Sequence, residues 1–570
     1  MSTASVAGAI GTVLDADVCI VGGGPAGLSV ALALVAAITA SGIEPLPEAP
    51  RVVLLEAGDD RLVQLGSGTR VSDGNPYPGG DINTTRAHYL GGTAGIWSYE
   101  MSNAPGDPGD DDRGCRYAPM DEVDFEARTA VPHSGWPLKR GDLDPWYEKA
   151  QPVAGLGPAQ YTPEPWAGPG REVLHLDDSL VETQMFQFAG SRKFTQGVVG
   201  RLRAAGVRLV TRADVTALET DGSGRVTAVR WRGSDGTTGT VNARAVVLAA
   251  GGIENSRLLL RTATAAGGDA GPGLGNTYDQ VGRYWMEHPI VRGGIIVTRP
   301  GAGLAGLLGL YDAHWQDSAT GPVKVMAKFS INPTVVRERG LVSTALLLLP
   351  RADAMASPGF QAFTALRSPT FRAASPLAKA KVAATVLTRP QDLLNARAAM
   401  QSQPGVDLSG WTQSPEAPGL NVFEMVHQTE QTPDPSNRIV LGRDLDAHGR
   451  QEPVLHWHWS DDDQRRVTQS RDLYAQAFAN AGLGRLMQGD WDGGRPRMTY
   501  STHHHMGGTR ISPDDRTGVV DADCRVHGSP NVFVAGSSVF PTGGSVNPTL
   551  TIVALSVRLG EHLRSVLPAL

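Results

Sequence analysis

The chain holds 570 residues, with 58 Asp plus Glu against 51 Lys plus Arg for a formal charge of -7. That length exceeds a single hydrophobic core, so two packed domains are expected, and charges mixed along an acidic chain provide no field for nucleic acid. Three cysteines, Cys19, Cys115 and Cys524, stand far apart without CxxC spacing; this argues against a disulfide framework or a zinc site and fits a reducing cytoplasm.

In chain order, the first residues lack a basic n-region. The apolar run near residues 18–43 is broken by a Gly-Pro turn, so it reads as strand and helix and no transmembrane segment is expected. Asp17-Val-Cys-Ile-Val runs into Gly22-Gly-Gly24-Pro25-Ala26-Gly27 and an Ala/Leu-rich helix. Glycines there permit a tight turn and close backbone approach, and a helix N-terminus presents free N–H groups and a positive dipole end to a pyrophosphate. A second apolar strand, Arg51-Val-Val-Leu-Leu, ends at Glu56, whose carboxylate suits a ribose diol and repels a 2′-phosphate. Strand, glycines, helix, strand and acid in this order predict a dinucleotide-binding domain.

A second glycine loop follows at Leu90-Gly91-Gly92-Thr93-Ala-Gly-Ile96-Trp97, read as another backbone approach to a large cofactor. Residues 102–114 read as an exposed acidic loop, and residues 136–147 as a turn into a helix capped by Asp142 or Asp144. Strands are expected from Val207, from Val215, which is placed beside the cofactor, and from Val226. Residues 243–250 form another buried strand, ending at Ala250-Gly251 before a helix. Beyond residue 286 the pattern becomes strands between variable loops, at 293–298, 323–331, 341–349, 421–427, 438–441 and 454–459, with a helix at 461–481. Residues 361–402 are Ala-rich and helical, with Arg367, Arg372, Lys379, Lys381, Arg389 and Arg397 against Asp392 alone. A solvated helical insertion is the favoured reading, over a lid, a docking face or a membrane contact.

The C-terminal stretch carries the chemistry. Removing hydride from an alcohol needs a base for the hydroxyl proton and a donor for the developing alkoxide. In His505-Met-Gly-Gly-Thr-Arg and Asn547-Pro548-Thr549, His505 suits the first role and Asn547 the second. Pro548 favours a helix start, whose N-terminus would stabilise an anionic reduced flavin. Gly536-Ser537 ends a strand with one more glycine turn for a ribityl chain or phosphate. His503, His504 and His505 do not suggest a metal site, because neighbours along a strand point to opposite faces and no ligand of suitable spacing joins them.

Val21-Gly-Gly-Gly-Pro-Ala-Gly with Glu56, Leu90-Gly-Gly-Thr, Ala249-Ala-Gly-Gly-Ile-Glu-Asn-Ser-Arg and residues 505–555 together resemble the glucose-methanol-choline (GMC) family of flavin oxidoreductases. The resemblance implies an α/β protein. A Rossmann-like FAD-binding domain of the kind found in p-hydroxybenzoate hydroxylase would span residues 1–150, 190–285 and 500–570. An α+β substrate domain with a large antiparallel sheet would span 151–189 and 286–499. It further implies His505 as active-site base, Asn547 as its partner, and a bacterial branch similar to pyranose and glycoside oxidases. The substrate would be a small alcohol, a sugar or glycoside, oxidised by hydride transfer to flavin N5, and the electron acceptor oxygen, a quinone or a redox protein. Pyranose oxidases that bind flavin covalently use a histidine before the tryptophan of the second glycine block; Ile96 stands there, so non-covalent FAD is expected. Competing readings are a non-sugar alcohol substrate, a flavin monooxygenase or NAD(P)H-dependent reductase, which would need a second nucleotide fingerprint not found here, and a silent flavoprotein that binds a partner through 361–402. Oligomeric state is open.

Overall fold

A computed structural model of the chain describes residues 11–65, 68–71, 81–101, 112–263, 271–298, 308–351, 354, 357–366, 371, 374–402, 422–487 and 498–570. Residues 102–111 of the expected acidic loop, with Arg367 and Arg372, lie outside them.

Apolar β-branched runs build the first sheet. Its order is Arg208–Val210, Val52–Leu55, Thr12–Val21, Thr238–Leu248, Val226–Arg232 and Asp214–Thr220. The inner strands are parallel and buried on both faces, which is why they read as continuous apolar runs. Thr238–Leu248 is long enough to serve two neighbours on one side. Its first half pairs antiparallel with Val226–Arg232 and its last residues pair in parallel with Val532–Val534. The C-terminal strand therefore ends beside the glycine loops.

Helix Pro25–Val35 is buried along almost its whole length and packs against Thr549–Val566. Contact is close because a Cβ on Gly560 would meet Ala33 Cβ at 2.5 Å and Val30 O at 2.9 Å. The apolar run beyond Val35 does not continue the helix: Ala36–Thr39 and Gly42–Pro45 form a hairpin. In helix Arg140–Ala154, Asp142 is the capping acid and accepts from Lys139 N at 2.8 Å, whereas Asp144 pairs with Arg140.

The second sheet has ten strands, in the order Gly484–Met487, Pro289–Thr298, Val422–Thr429, Thr344–Arg351, Gly321–Ile331, Val181–Gly190, Arg113–Tyr117 and Tyr99–Glu100. His314–Ser318 pairs with Gly321–Ile331, and Met498–Ser501 with Pro289–Thr298. Strands Tyr99–Glu100 and Arg113–Tyr117 fall in the segment that sequence assigns to the cofactor domain, yet they bond to this sheet, Tyr117 lying opposite Gln187. Their alternation is too short to announce a sheet. Leu341–Ser343 precede the strand expected to begin there, because Leu341 N is held by Val336 O at the end of helix Pro333–Arg339. Strand Gln451–His456 stops before Trp457, whose Nε1 turns to Gln431.

Among the described residues the insertion forms the helices Pro358–Leu366, Pro376–Thr388 and Pro390–Ser402. Each opens on a proline, which a helix accepts only in its first turn. Pro376–Thr388 buries no residue, with Leu377 81% and Leu387 80% exposed. Among the described residues no helix is long and apolar enough to cross a membrane.

Candidate functional site

A cavity of about 630 Å³ lies between the two sheets, within the range of pockets that enclose small molecules. Its lining includes Gly22, Gly24, Pro25 and Ala26, with Glu56 and Val215, and also residues 502–505 with Asn547, Pro548 and Thr549. Gly92, Thr93, Ala250, Gly251, Gly536 and Ser537 line it too.

Gly27 and Gly91, both expected to touch a cofactor, are not among the lining residues. A Cβ on Gly27 would sit 2.0 Å from Gly22 O, so this glycine lets the helix press on its own loop. Gly91 N donates to Gly23 O at 2.8 Å, and a Cβ on Gly92 would lie 2.7 Å from Gly24 Cα. The second glycine block is thus shaped against the first loop. Glu56 is tied in the same way. Its Oε2 accepts from Gly23 N and its Oε1 from Gly58 N, both at 2.7 Å. Burial pushes its pKa up to about 7 against those hydrogen bonds. The first turn of helix Pro25–Val35 holds no acid, so its dipole end remains available to an anion.

An ionic network borders the cavity. Arg86 and Arg257 pair with Glu254, Arg257 and Arg450 with Asp446, and Arg450 with Asp214. Arg450 also donates to Val215 O at 2.7 Å. The turn between Arg438–Leu445 and Gln451–His456 is thereby fastened over the cavity. Sequence reading missed it, because salt partners some 200 residues apart have no periodicity.

Asn255 ties the loops below. Its Oδ1 accepts from Ala250 N at 2.9 Å, and its Nδ2 donates to Ser538 Oγ at 3.0 Å. Ser537 Oγ in turn donates to His505 O at 2.6 Å, while Gly507 N and Thr509 N bond to Ser537 O and Ser538 O. The histidine segment is therefore stapled to the turn after Val532–Val534.

Hydrogen-bond direction can be followed into each polar group. Arg116 can only donate, so the Gln428 oxygen faces it at 2.8 Å. Gln428 Nε2 then donates to Ser545 O and, at 3.3 Å, to Asn547 Oδ1. The Asn547 oxygen is occupied, which leaves its N–H groups as the part that can serve the cavity. Thr85 Oγ1 donates to Ile82 O at 2.6 Å, so it accepts from His505 Nε2–H at 3.2 Å. The lone pair of His505 is consequently on Nδ1. Its ring lies against Trp285 with centroids 5.1 Å apart, and burial pushes its pKa down to about 3. It is a neutral imidazole, the form that accepts a proton.

The alternation expected through the histidine triplet does not occur. His503 has φ 62°, which breaks the extended chain, and His503, His504 and His505 all line the cavity. His504 and Thr502 are site residues that sequence reading passed over, and the triplet itself was the signal. Among the described residues no group of three or more His, Cys, Asp or Glu side chains is arranged to hold a metal. Ile96 and Trp97 both line the cavity, Trp97 edge-on to Tyr117 and Phe194.

Residues 433–556, which include His505 and Asn547, match the family model described as GMC oxidoreductase, and residues 116–275 match that described as FAD dependent oxidoreductase. The chain is 27% identical over 375 residues to the fructose dehydrogenase large subunit of Gluconobacter japonicus, covering 64% of this chain and 56% of that one. It is 33% identical over 132 residues to C-glycoside 3-oxidase of Microbacterium trichothecenolyticum, covering 22% and 24% respectively. The matched stretches thus span about half of the first relative and a quarter of the second. Formate oxidase from Aspergillus oryzae RIB40 superposes with a TM-score of 0.50 at 16% identity, over 98% of this chain and 99% of that one, a likeness of fold alone.

Proposed function

We propose, from the match of residues 433–556 to the GMC oxidoreductase family model, that this chain is an FAD-dependent enzyme that oxidises a CH–OH group, a secondary hydroxyl of a sugar or glycoside, to a carbonyl. One observation carries the reading: a neutral imidazole, His505, and an amide held as a donor, Asn547, line the same cavity as the glycine loops. When bound, FAD supplies the acceptor for two electrons and one hydrogen of the carbinol. His505 accepts the hydroxyl proton, and Asn547 donates to the oxygen as negative charge grows on it. Gly24, Pro25 and Ala26 at the helix N-terminus would hold the pyrophosphate. Glu56 and Val215 would hold the adenosine, and Pro548 and Thr549, at the start of helix Thr549–Val566, would hold the ring system.

The sugar class is supported by the names of the relatives, fructose dehydrogenase and C-glycoside 3-oxidase. Non-covalent FAD is supported by Ile96, which has no nucleophile to offer beside Trp97. Three free, buried cysteines agree with a cytoplasmic location. The acceptor that reoxidises the flavin is oxygen, a quinone or a redox protein.

Anaerobic mixing of the yellow holoprotein with sugars, glycosides and simple alcohols tests the reading, with flavin absorbance as readout. Bleaching by a polyhydroxylated substrate is expected, and bleaching by NADPH alone would replace it with a reductase. His505→Ala should keep its flavin and bleach roughly 10²–10⁴-fold more slowly. An unchanged rate removes His505 from the role.

A further inference from the structure

His504 stands beside the proposed base with a different set of partners. His288 Nε2 lies 3.3 Å from Gly543 O, an acceptor, so the ring donates from Nε2 and its Nδ1 carries the lone pair. That Nδ1 is 2.9 Å from His504 Nδ1, which must therefore be the donor. Thr502 Oγ1, 2.8 Å from His504 Nδ1, is a second acceptor for the same hydrogen, its own proton being able to go to His288 O at 3.2 Å. Glu287 Oε1 fixes the peptide by accepting from the backbone N–H groups of His504 at 2.6 Å and His288 at 2.9 Å. The hydrogen-bond partners of the ring among the described residues, His288 and Thr502, both sit at Nδ1. Nε2 is left as a bare lone pair with no hydrogen bond among the described residues, on a residue that lines the cavity.

We propose that His504 Nε2 accepts a hydrogen bond from a second hydroxyl of the substrate, one other than the hydroxyl oxidised, and so selects polyols over monohydric alcohols. This rests on the oxidation proposed above. The proton-accepting role is assigned above to His505; on His504, burial first, and then the neighbouring His288 and Arg116, oppose a positive charge and keep the ring neutral. A lone pair whose direction is fixed by the partners at Nδ1 suits a recognition group. It accepts from an O–H and repels a carboxylate, so sugars and glycosides pass where sugar acids do not. The orientation depends on His288, a positioning residue that meets no substrate itself.

The test combines His504→Leu holoenzyme with a pyranose and its monodeoxy analogues, comparing kcat/KM for anaerobic flavin reduction. The variant should lose about 10- to 100-fold on the parent sugar, mainly in KM, as a hydroxyl loses its only partner. Wild type and variant should then be alike on one deoxy analogue, the one that lacks the contacted hydroxyl. An equal loss on the parent and on every analogue would mean that His504 serves the reacting hydroxyl or the fold, and would overturn the proposal, as would no loss. Wild-type flavin that no sugar bleaches fails the oxidation reading instead, a separate outcome. If His504→Leu does not fold, the ¹⁵N spectrum of histidine-labelled wild-type holoprotein decides: an unprotonated His504 Nε2 at pH 7 is expected, and a protonated one overturns the assignment.

Discussion

His427 shows how a single ring can shape acid stability from far outside the catalytic group. It is fully buried in strand Val422–Thr429 beside Tyr474, and neither ring nitrogen has a partner among the described residues. Burial pushes its pKa down to about 3, so the unfolded chain binds a proton between pH 6.5 and 3 that the folded chain refuses. Stability is full above pH 6.5 and is lost as pH falls through that window. His288, pushed down to about 4, acts in the same direction. Glu56 and Asp124, both pushed up to about 7 by burial, act oppositely and lose stability as pH rises from the ordinary carboxylate value toward 7. His427→Leu should leave the melting temperature at pH 7.5 equal or higher, since an unsatisfied polar group is removed, and should narrow the gap between pH 7.5 and pH 5. An unchanged gap would mean that this ring does not titrate on unfolding. Residue chemistry of this kind was partly legible. His505, Asn547 and Glu56 could be picked from type and context, but the direction of each hydrogen bond came from Thr85, Gln428 and Gly23, whose proximity no spacing encodes.

Among elements, the strand, glycine turn and helix at residues 12–35 was the most legible, because its apolar period and glycine positions are local properties. The reason for the third glycine was not. Gly27 faces Gly22 O at a distance that forbids a Cβ, with Ala249 Cβ behind it at 3.2 Å. Gly27→Ala should push the helix off its loop at a cost of about 1–3 kcal/mol, and the purified variant should carry less than one flavin per chain. A full flavin complement, measured as the ratio of flavin to protein absorbance, would show that the loop can relax. The insertion illustrates the opposite limit. Its composition announced helix, yet the exposure of Leu377 and Leu387 shows Pro376–Thr388 held by little packing, so its placement was not a matter of propensity.

For the molecule as a whole, the cavity joins what the two sheets bring. Gly22, Val215 and Gly536 come from the first sheet and its loops, Tyr99 and Cys115 from the last two strands at one side of the second. A ligand there must couple both halves. FAD added at a hundred times its dissociation constant should stabilise the native chain by about 2.7 kcal/mol, and denaturant unfolding of the holoprotein should be one transition. Two transitions, with one unmoved by FAD, would place the cofactor within a single half.

Sequence alone pointed to a nucleotide on a glycine turn at a helix N-terminus and to a histidine and an amide near the C-terminus as the candidate reactive pair, and it determined that a large sheet followed residue 286. These rest on local periodicity and on what each side chain can donate or accept. Only the tertiary structure decided that Tyr99–Glu100 and Arg113–Tyr117 join the second sheet, that the glycine blocks pack on each other, and that Arg116, through Gln428, and His288 turn Asn547 into a donor and His504 into an acceptor. The physical reason is that a hydrogen bond acquires its direction from a partner in space, and those partners lie hundreds of residues away along the chain.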